Sequence, residues 1–229
     1  MKRSFINKKI RNSIKFFTEL NFLLPPFAFY SPTEWKEKFS QCQEICDIQL
    51  GWDITSFGTN NFDETGLILF TLRNGSQKNP EKYPKPYAEK IMLIQETQVT
   101  PCHFHWHKRE DIINRGGGNL VIEMWQSNKS EKRTDGPFNV NIDGIQHHFD
   151  TNAKIILHPG QSICLTPYLA HRFYAQSSFG PVMAGEVSTV NDDTTDNCFI
   201  DGQPRFDPII EDEEIKYMLA TDLLKMKKI

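Results

Sequence analysis

From about Trp52 onward the chain is cut into short apolar runs by Gly, Asn or Asp at intervals of about ten residues. Thr65–Leu72, Glu89–Ile94, Asn119–Gln126, Phe138–Ile142, Gln146–Phe149, Lys154–Leu157, Gln161–Leu165, His171–Ala175 and Pro181–Val190 form the series. Such runs are too short for amphipathic helices, and strand after strand with turn residues between them predicts an all-β barrel or sandwich. No internal repeat suggests a solenoid or propeller.

The flanks differ. Phe5, Ile6, Ile10, Ile14, Phe17 and Leu20 recur at helical spacing between basic residues, which predicts an amphipathic helix from Ser4 to about Asn21. Pro25-Pro26 ends it, and Ser31-Pro32-Thr33-Glu34 has the form of an N-cap with Pro at N1 and Glu at N3. A second helix is expected from there to about Cys46. A last helix is expected from Glu213 to Lys225, with Ile215, Met218, Leu219 and Leu223 on one side and the closing lysines, through Lys227 and Lys228, near its C-terminus. The expectation is one domain over 1–229, with a helical extension (1–50), a barrel (about 51–190) and an acidic, turn-rich tail (191–229) that is a candidate cover.

With 229 residues, 38% hydrophobic and 12% aromatic, the chain can bury a full core. A net charge of -3 offers no basic face, so no nucleic-acid partner is expected. No stretch is apolar enough to span a bilayer or to serve as a secretory h-region. The odd cysteine set lacks a Cys-x-x-Cys pair, which points to a reducing cytoplasm.

The chemistry concentrates in His103-Phe104-His105-Trp106-His107-Lys108-Arg109-Glu110 and in His171. Side chains at i and i+2 of a strand share a face, so His103 and His105 point together, and a turn can return Glu110 over them. Three imidazoles and a carboxylate suit a divalent first-row metal with open positions. Cys102 falls on the opposite face, as a buried structural thiol; His107 is left peripheral, and His147, His148 and His158 as structural or exposed.

The segment from His103 to Gly117 resembles the first motif of the cupin superfamily, with Glu110 and Gly117 in register but Thr97 where a glycine belongs. Gly160 and His171 keep the register of the second motif, whereas Thr166, Tyr168 and Ala175 replace its proline, second glycine and asparagine, which predicts a turn of different build. Within cupins the chain resembles the D-lyxose isomerase family. Leu24-Pro25-Pro26-Phe27-Ala28, Trp52-Asp53-Ile54-Thr55, Tyr87-Ala88-Glu89-Lys90 and Gly185-Glu186-Val187-Ser188 with Asn191-Asp192-Asp193 carry the likeness. The resemblance implies a cupin barrel, a divalent metal that is usually manganese, a homodimer, and interconversion of D-lyxose and D-xylulose or of D-mannose and D-fructose.

Aldose-ketose isomerisation moves a proton between C2 and C1 through an enediolate, which a metal at His103, His105, Glu110 and His171 would stabilise. Lys108, its pKa lowered by the adjacent cation, is a candidate acid, and Glu186, as a buried carboxylate of raised pKa, a candidate base. Lys90 and Asp193 are further candidates, although an Asn-Asp-Asp run is more often a turn. A cupin dioxygenase with the same metal shell, or a cupin that binds a sugar without turning it over, remains open on ligand spacing alone.

Overall fold

The computed structural model describes residues 1–128 and 130–226. Three helices open the chain: α1 (Arg3–Glu19), α2 (Pro32–Lys38) and α3 (Gln43–Asp47). Fourteen strands follow: β1 (Gly51–Thr55), β2 (Leu67–Arg73), β3 (Tyr87–Ile94), β4 (Thr100–Phe104), β5 (Glu110–Gly117), β6 (Leu120–Ser127), β7 (Arg133–Thr134), β8 (Phe138–Ile142), β9 (Ile145–Phe149), β10 (Ala153–Leu157), β11 (Ser162–Leu165), β12 (Leu169–Ala175), β13 (Val182–Thr189) and β14 (Cys198–Phe199). Helix α4 (Ala220–Met226) closes the described chain.

The strands form two antiparallel sheets, β1-β2-β3-β13-β5-β11-β8-β9 and β10-β6-β12-β4-β14, with β7 beside β6. Leu67, Leu69, Met92, Ile94, Ile112, Ile122, Met124, Phe173 and Ala184 pack between them as the main core. The first sheet is apolar on its other face too. Trp52, Ile54, Ile68, Phe70, Ile91 and Leu93 are covered there by Ile6, Ile10 and Phe17 of α1. Burial on both faces explains why β2 reads as an unbroken apolar run instead of an alternating one. The all-β cupin-type barrel with helical flanks expected from the sequence is what forms.

Helix α1 buries Ile6, Ile10 and Phe17 at helical spacing and ends as Asn21 turns left-handed at φ 58, with Phe22 N donating to Phe17 O at 2.8 Å. At α2 the expected cap is in place: Ser31 Oγ accepts from Glu34 N at 3.3 Å, and Glu34 accepts from Ser31 N at 2.8 Å. The helix does not run on to Cys46. It tightens into a 3-10 turn at Phe39–Gln41 and restarts as α3, because little of the polar stretch between Trp35 and Cys46 packs against the core.

The last helix is also shorter than its periodicity suggested. Asn7 occupies the backbone that a helix from Glu213 would use: its Nδ2 donates to Glu214 O at 2.9 Å, and its Oδ1 accepts from Lys216 N at 3.2 Å. Asp222 then caps α4 by accepting from Leu219 N at 3.1 Å. Lys227 and Lys228 lie outside the described residues. Strands β1, β5, β7 and β14 have no counterpart in the predicted series. Strand β5 carries Asp111, Arg115 and paired glycines that read as a turn, yet it lies between β13 and β11 in the sheet.

The two motif glycines are needed where they fall. Gly117 has φ +89 and a Cβ there would lie 2.3 Å from Pro181 O; Gly160 has φ +94. At the two places where the motif lacks glycine, Thr97 and Tyr168 adopt φ 59 and φ 63. The second turn therefore keeps the left-handed residue the motif calls for instead of being rebuilt, at a cost of about 1–2 kcal/mol for a side chain in that region. Tyr168 N donates to His105 O at 2.9 Å, and its ring stacks on Phe104 at 5.6 Å, which holds the conformation.

The N-terminus and the tail are strapped together by Arg3, which is fully buried. Its Nε and Nη2 donate to Glu211 at 2.8 Å each, and its Nη1 and Nη2 to Asp222 at 2.8 and 3.0 Å. Removing a guanidinium so paired leaves the buried Asp222 charge uncompensated. Arg3→Ala is expected to cost about 3 kcal/mol, read as a lower urea midpoint at unchanged m-value; a loss below about 1 kcal/mol would show that the strap does not carry the fold.

Candidate metal centre

Between its pairing with Phe173 and with His171, β4 has one residue more than β12: Phe173 faces Thr100 and His171 faces His103. The extra residue puts Thr100 and His103 both on the inner face, as a bulge does. Pro101, which has no N–H to give a ladder, sits in it, and Pro101 O lies 2.8 Å from His103 Nδ1. His105 follows just beyond the strand, Glu110 opens β5, and His171 projects from β12.

These four residues are buried, and one ligand atom from each lies within 4.8 Å of the others. Each imidazole Nδ1 faces a backbone carbonyl: Pro101 O at 2.8 Å, Asp196 O at 2.6 Å and Leu169 O at 2.9 Å. A carbonyl only accepts, so Nδ1 carries the proton and Nε2 keeps its lone pair. Nε2 of His105 and His171 and Oε1 of Glu110 are buried without a hydrogen-bond partner.

Nε2 of His105 and His171 do lie 3.3 and 3.1 Å from Glu110 Oε1, which would make ion pairs of doubly protonated rings. Charging the cluster is unfavourable, since His103 and His171 have ring centroids 4.4 Å apart. Burial, and then the neighbouring His171 and His105, push His103 well below the usual imidazole range. His103 therefore stands neutral. Acceptors converging with no donor between them are what a divalent cation satisfies, so the residues present fit such an ion.

The remaining sequence candidates lie against this cluster. In the sheet, Glu186 on β13 pairs with Lys90 on β3, and Ser188 pairs with Glu110. Lys108 Nζ is 2.7 Å from Glu110 Oε2 and donates to Glu186 Oε1 at 2.9 Å. Lys90 Nζ donates to Asn191 Oδ1 at 2.7 Å and lies 3.4 Å from Glu186 and 3.5 Å from Asp193. Asp193 is not a plain turn residue. It faces Arg205 at 3.2 Å, and Arg205 also pairs with Asp53.

The direction expected for Glu186 is reversed. Burial raises the Glu186 carboxyl, but the Lys108 and Lys90 ammonium groups outweigh it and hold Glu186 below the usual glutamate value. Burial lowers Lys108, and the Glu110 and Glu186 carboxylates more than restore it, so its pKa rises. The pair stands charged, Lys108 as ammonium and Glu186 as carboxylate. Cys102 is a buried thiol among Phe104, Ala170 and Cys198, with burial pushing it up to about 11. His107, His147, His148 and His158 are exposed.

The tail is indeed a cover. Asp193, Asn197, Phe199 and Arg205 line the same cavity as His103, His105, Glu110, Lys90, Lys108 and Glu186. Asp196 joins tail to site: its Oδ1 accepts from Trp106 N and His107 N at 2.9 Å, and its Oδ2 from Lys108 N at 2.9 Å. Its own carbonyl faces His105 Nδ1. No spacing marks Asp196, Asn197 or Arg205 in the sequence, because their partners are brought to them only by the path of the tail.

An antiparallel barrel with three inward imidazoles and a carboxylate on neighbouring hairpins is a cupin-type fold whose side-chain cluster could hold a metal ion. The chain belongs to the D-lyxose isomerase family, whose profile matches residues 1–223. It is 48% identical over 223 residues to a D-lyxose/D-mannose isomerase of Escherichia coli O157:H7, covering 97% of this chain and 98% of that protein. It is 46% identical to one of Serratia proteamaculans, covering 98% and 99%. Among solved structures, L-ribose isomerase of Acinetobacter sp. DL28 in complex with L-ribose superposes with TM-score 0.58 at 14% identity, over 90% of this chain and 98% of that one. L-ribose isomerase of Geodermatophilus obscurus gives 0.54 at 14% identity, over 92% and 98%. At such identity the likeness speaks to the fold.

Because Asp196 fixes both the Lys108 loop and the partner of His105, Asp196→Ala is expected to weaken divalent-metal binding about 10- to 100-fold by calorimetry. Unchanged metal affinity in a folded variant would show that the tail does not organise the centre.

Proposed function

We propose that the chain is a metal-dependent ketol-isomerase that interconverts D-lyxose and D-xylulose, with D-mannose and D-fructose as the related pair. The observation that carries this reading is the Lys108 ammonium shared between Glu110 Oε2 at 2.7 Å and Glu186 Oε1 at 2.9 Å. It sets a charged acid and base against a cluster fit for a cation. The family and the relatives named above support the substrate.

In this reading His103, His105, Glu110 and His171 hold the metal. A divalent ion there would supply Lewis-acid polarisation of the sugar's oxygens and a counter-charge for the enediolate. Glu186, ionised by its two lysine neighbours, takes the C2 proton and returns it to C1, while the O2 hydroxyl proton passes to O1. Lys108 hydrogen-bonds the substrate oxygen on which charge develops and shares the proton with Glu186. Lys90 orients Glu186 and is itself held by Asn191 and Asp193, which Arg205 fixes in turn. An oxygenase needs no such ion-paired lysine, and no observation favours that alternative.

Manganese is proposed as the metal, and a homodimer as the assembly, on the family resemblance. A reducing cytoplasm is proposed from the odd cysteine set without a Cys-x-x-Cys pair. No described helix is long and apolar enough to cross a membrane. A single domain over 1–229 is proposed on the Arg3 strap.

Metal-loaded protein should convert D-lyxose to D-xylulose with solvent deuterium entering at C2 on the return. Glu186→Gln should lower kcat about 10²- to 10⁴-fold while metal binding is kept. Retention of C2 exchange in both Glu186→Gln and Lys108→Ala would overturn these roles.

A further inference from the structure

Thr100 is 2% exposed, and its Oγ1 is buried with no hydrogen-bond partner. The bulge in β4 turns it inward beside His103, opposite Phe173. It lines the cavity of the metal quartet, where its neighbours along the wall include Phe57, Leu67, Leu69, Phe173 and Phe199.

A hydroxyl placed there is unfavourable for the fold, since a buried polar group left unpaired loses its water without replacement. Valine has nearly the same shape and would avoid that penalty. Thr55 Oγ1, by contrast, is also buried but donates to Asp207 at 3.3 Å and accepts from Phe57 N at 2.8 Å. Thr100 lines the described cavity that also carries His103, His105, Glu110 and the ion-paired Lys108 and Glu186, so an oxygen brought into that cavity would supply the partner its hydroxyl lacks.

We propose that Thr100 is a specificity-determining residue whose hydroxyl hydrogen-bonds one hydroxyl of the bound sugar, while the apolar wall around it packs on the sugar's C–H face. The assignment rests on the sugar-isomerase reading of the same site. A sugar has both faces such a wall needs: carbon-bound hydrogens for the aromatic and leucine side chains, and a hydroxyl able to donate or accept. A site built to hydrogen-bond a hydroxyl discriminates strongly against an analogue that lacks it, because the protein's own polar group is then stranded.

Calorimetric binding and KM would be measured with metal-loaded wild type, Thr100→Val and Thr100→Ser, using D-lyxose and its analogues deoxygenated singly at C3, C4 or C5. Thr100→Val is expected to bind D-lyxose about tenfold more weakly, with metal affinity unchanged and thermal stability equal or higher. Thr100→Ser should keep most of the affinity. For one deoxy sugar, wild type and Thr100→Val should bind alike, since each lacks one half of the same contact. The proposal is overturned if Thr100→Val binds D-lyxose like wild type, if it loses affinity equally for every sugar in the series, or if the loss is in metal binding. If wild type binds D-lyxose in a Thr100-dependent way without converting it, the isomerase reading falls and the subsite stands. If wild type binds none of these sugars, both fall.

Discussion

Three imidazole rings that have each committed their Nδ1 proton to a backbone carbonyl turn their remaining nitrogens toward Glu110. Each of those carbonyls is held by a different device. Pro101 O is presented by a β-bulge, Leu169 O by the turn with Tyr168 in the left-handed region, and Asp196 O by a tail segment clamped to the 106–108 loop. The fold around the cavity is thus tied to the tautomers of the cluster. Acceptors gathered without a donor are unfavourable in a dry interior and become favourable once a cation is shared among them.

Charge is arranged outward from that cluster in alternating layers. Glu110 gives one oxygen to the imidazole side and the other to Lys108; Lys108 reaches Glu186, Lys90 stands behind Glu186, Asp193 behind Lys90, and Arg205 behind Asp193 with Asp53 beyond. Few of these groups touch water. Buried alternating charges are costly unless each is paired, and here each is, which holds Lys108 and Glu186 in opposite, ionised states.

Much of this was legible in the sequence where the relevant information is local. Two-residue alternation placed His103 and His105 on one face, short apolar runs with turn residues predicted the barrel, and helical spacing found α1. The Ser31–Glu34 cap was readable because its partners lie three residues apart. What escaped depends on distant segments meeting. Asn7 cancels the first turns of the expected last helix, β5 gains strand character from two neighbours despite its charges, and Asp196, Arg205 and Thr100 acquire roles only when the tail and the bulge bring them to the cavity. The pKa direction of Glu186 escaped for the same reason: burial alone raises a carboxyl, whereas Lys108 and Lys90, brought from other segments, lower it.

The site's chemistry depends on a divalent ion seated among His103, His105, Glu110 and His171. Crystals soaked in manganese and measured at its absorption edge test this directly. One anomalous peak is expected within coordinating distance of all four side chains, with the three Nδ1 atoms still facing their carbonyls. A peak elsewhere, such as among Asp47, Asp53 and Asp192, with the quartet empty and its rings turned, would contradict it.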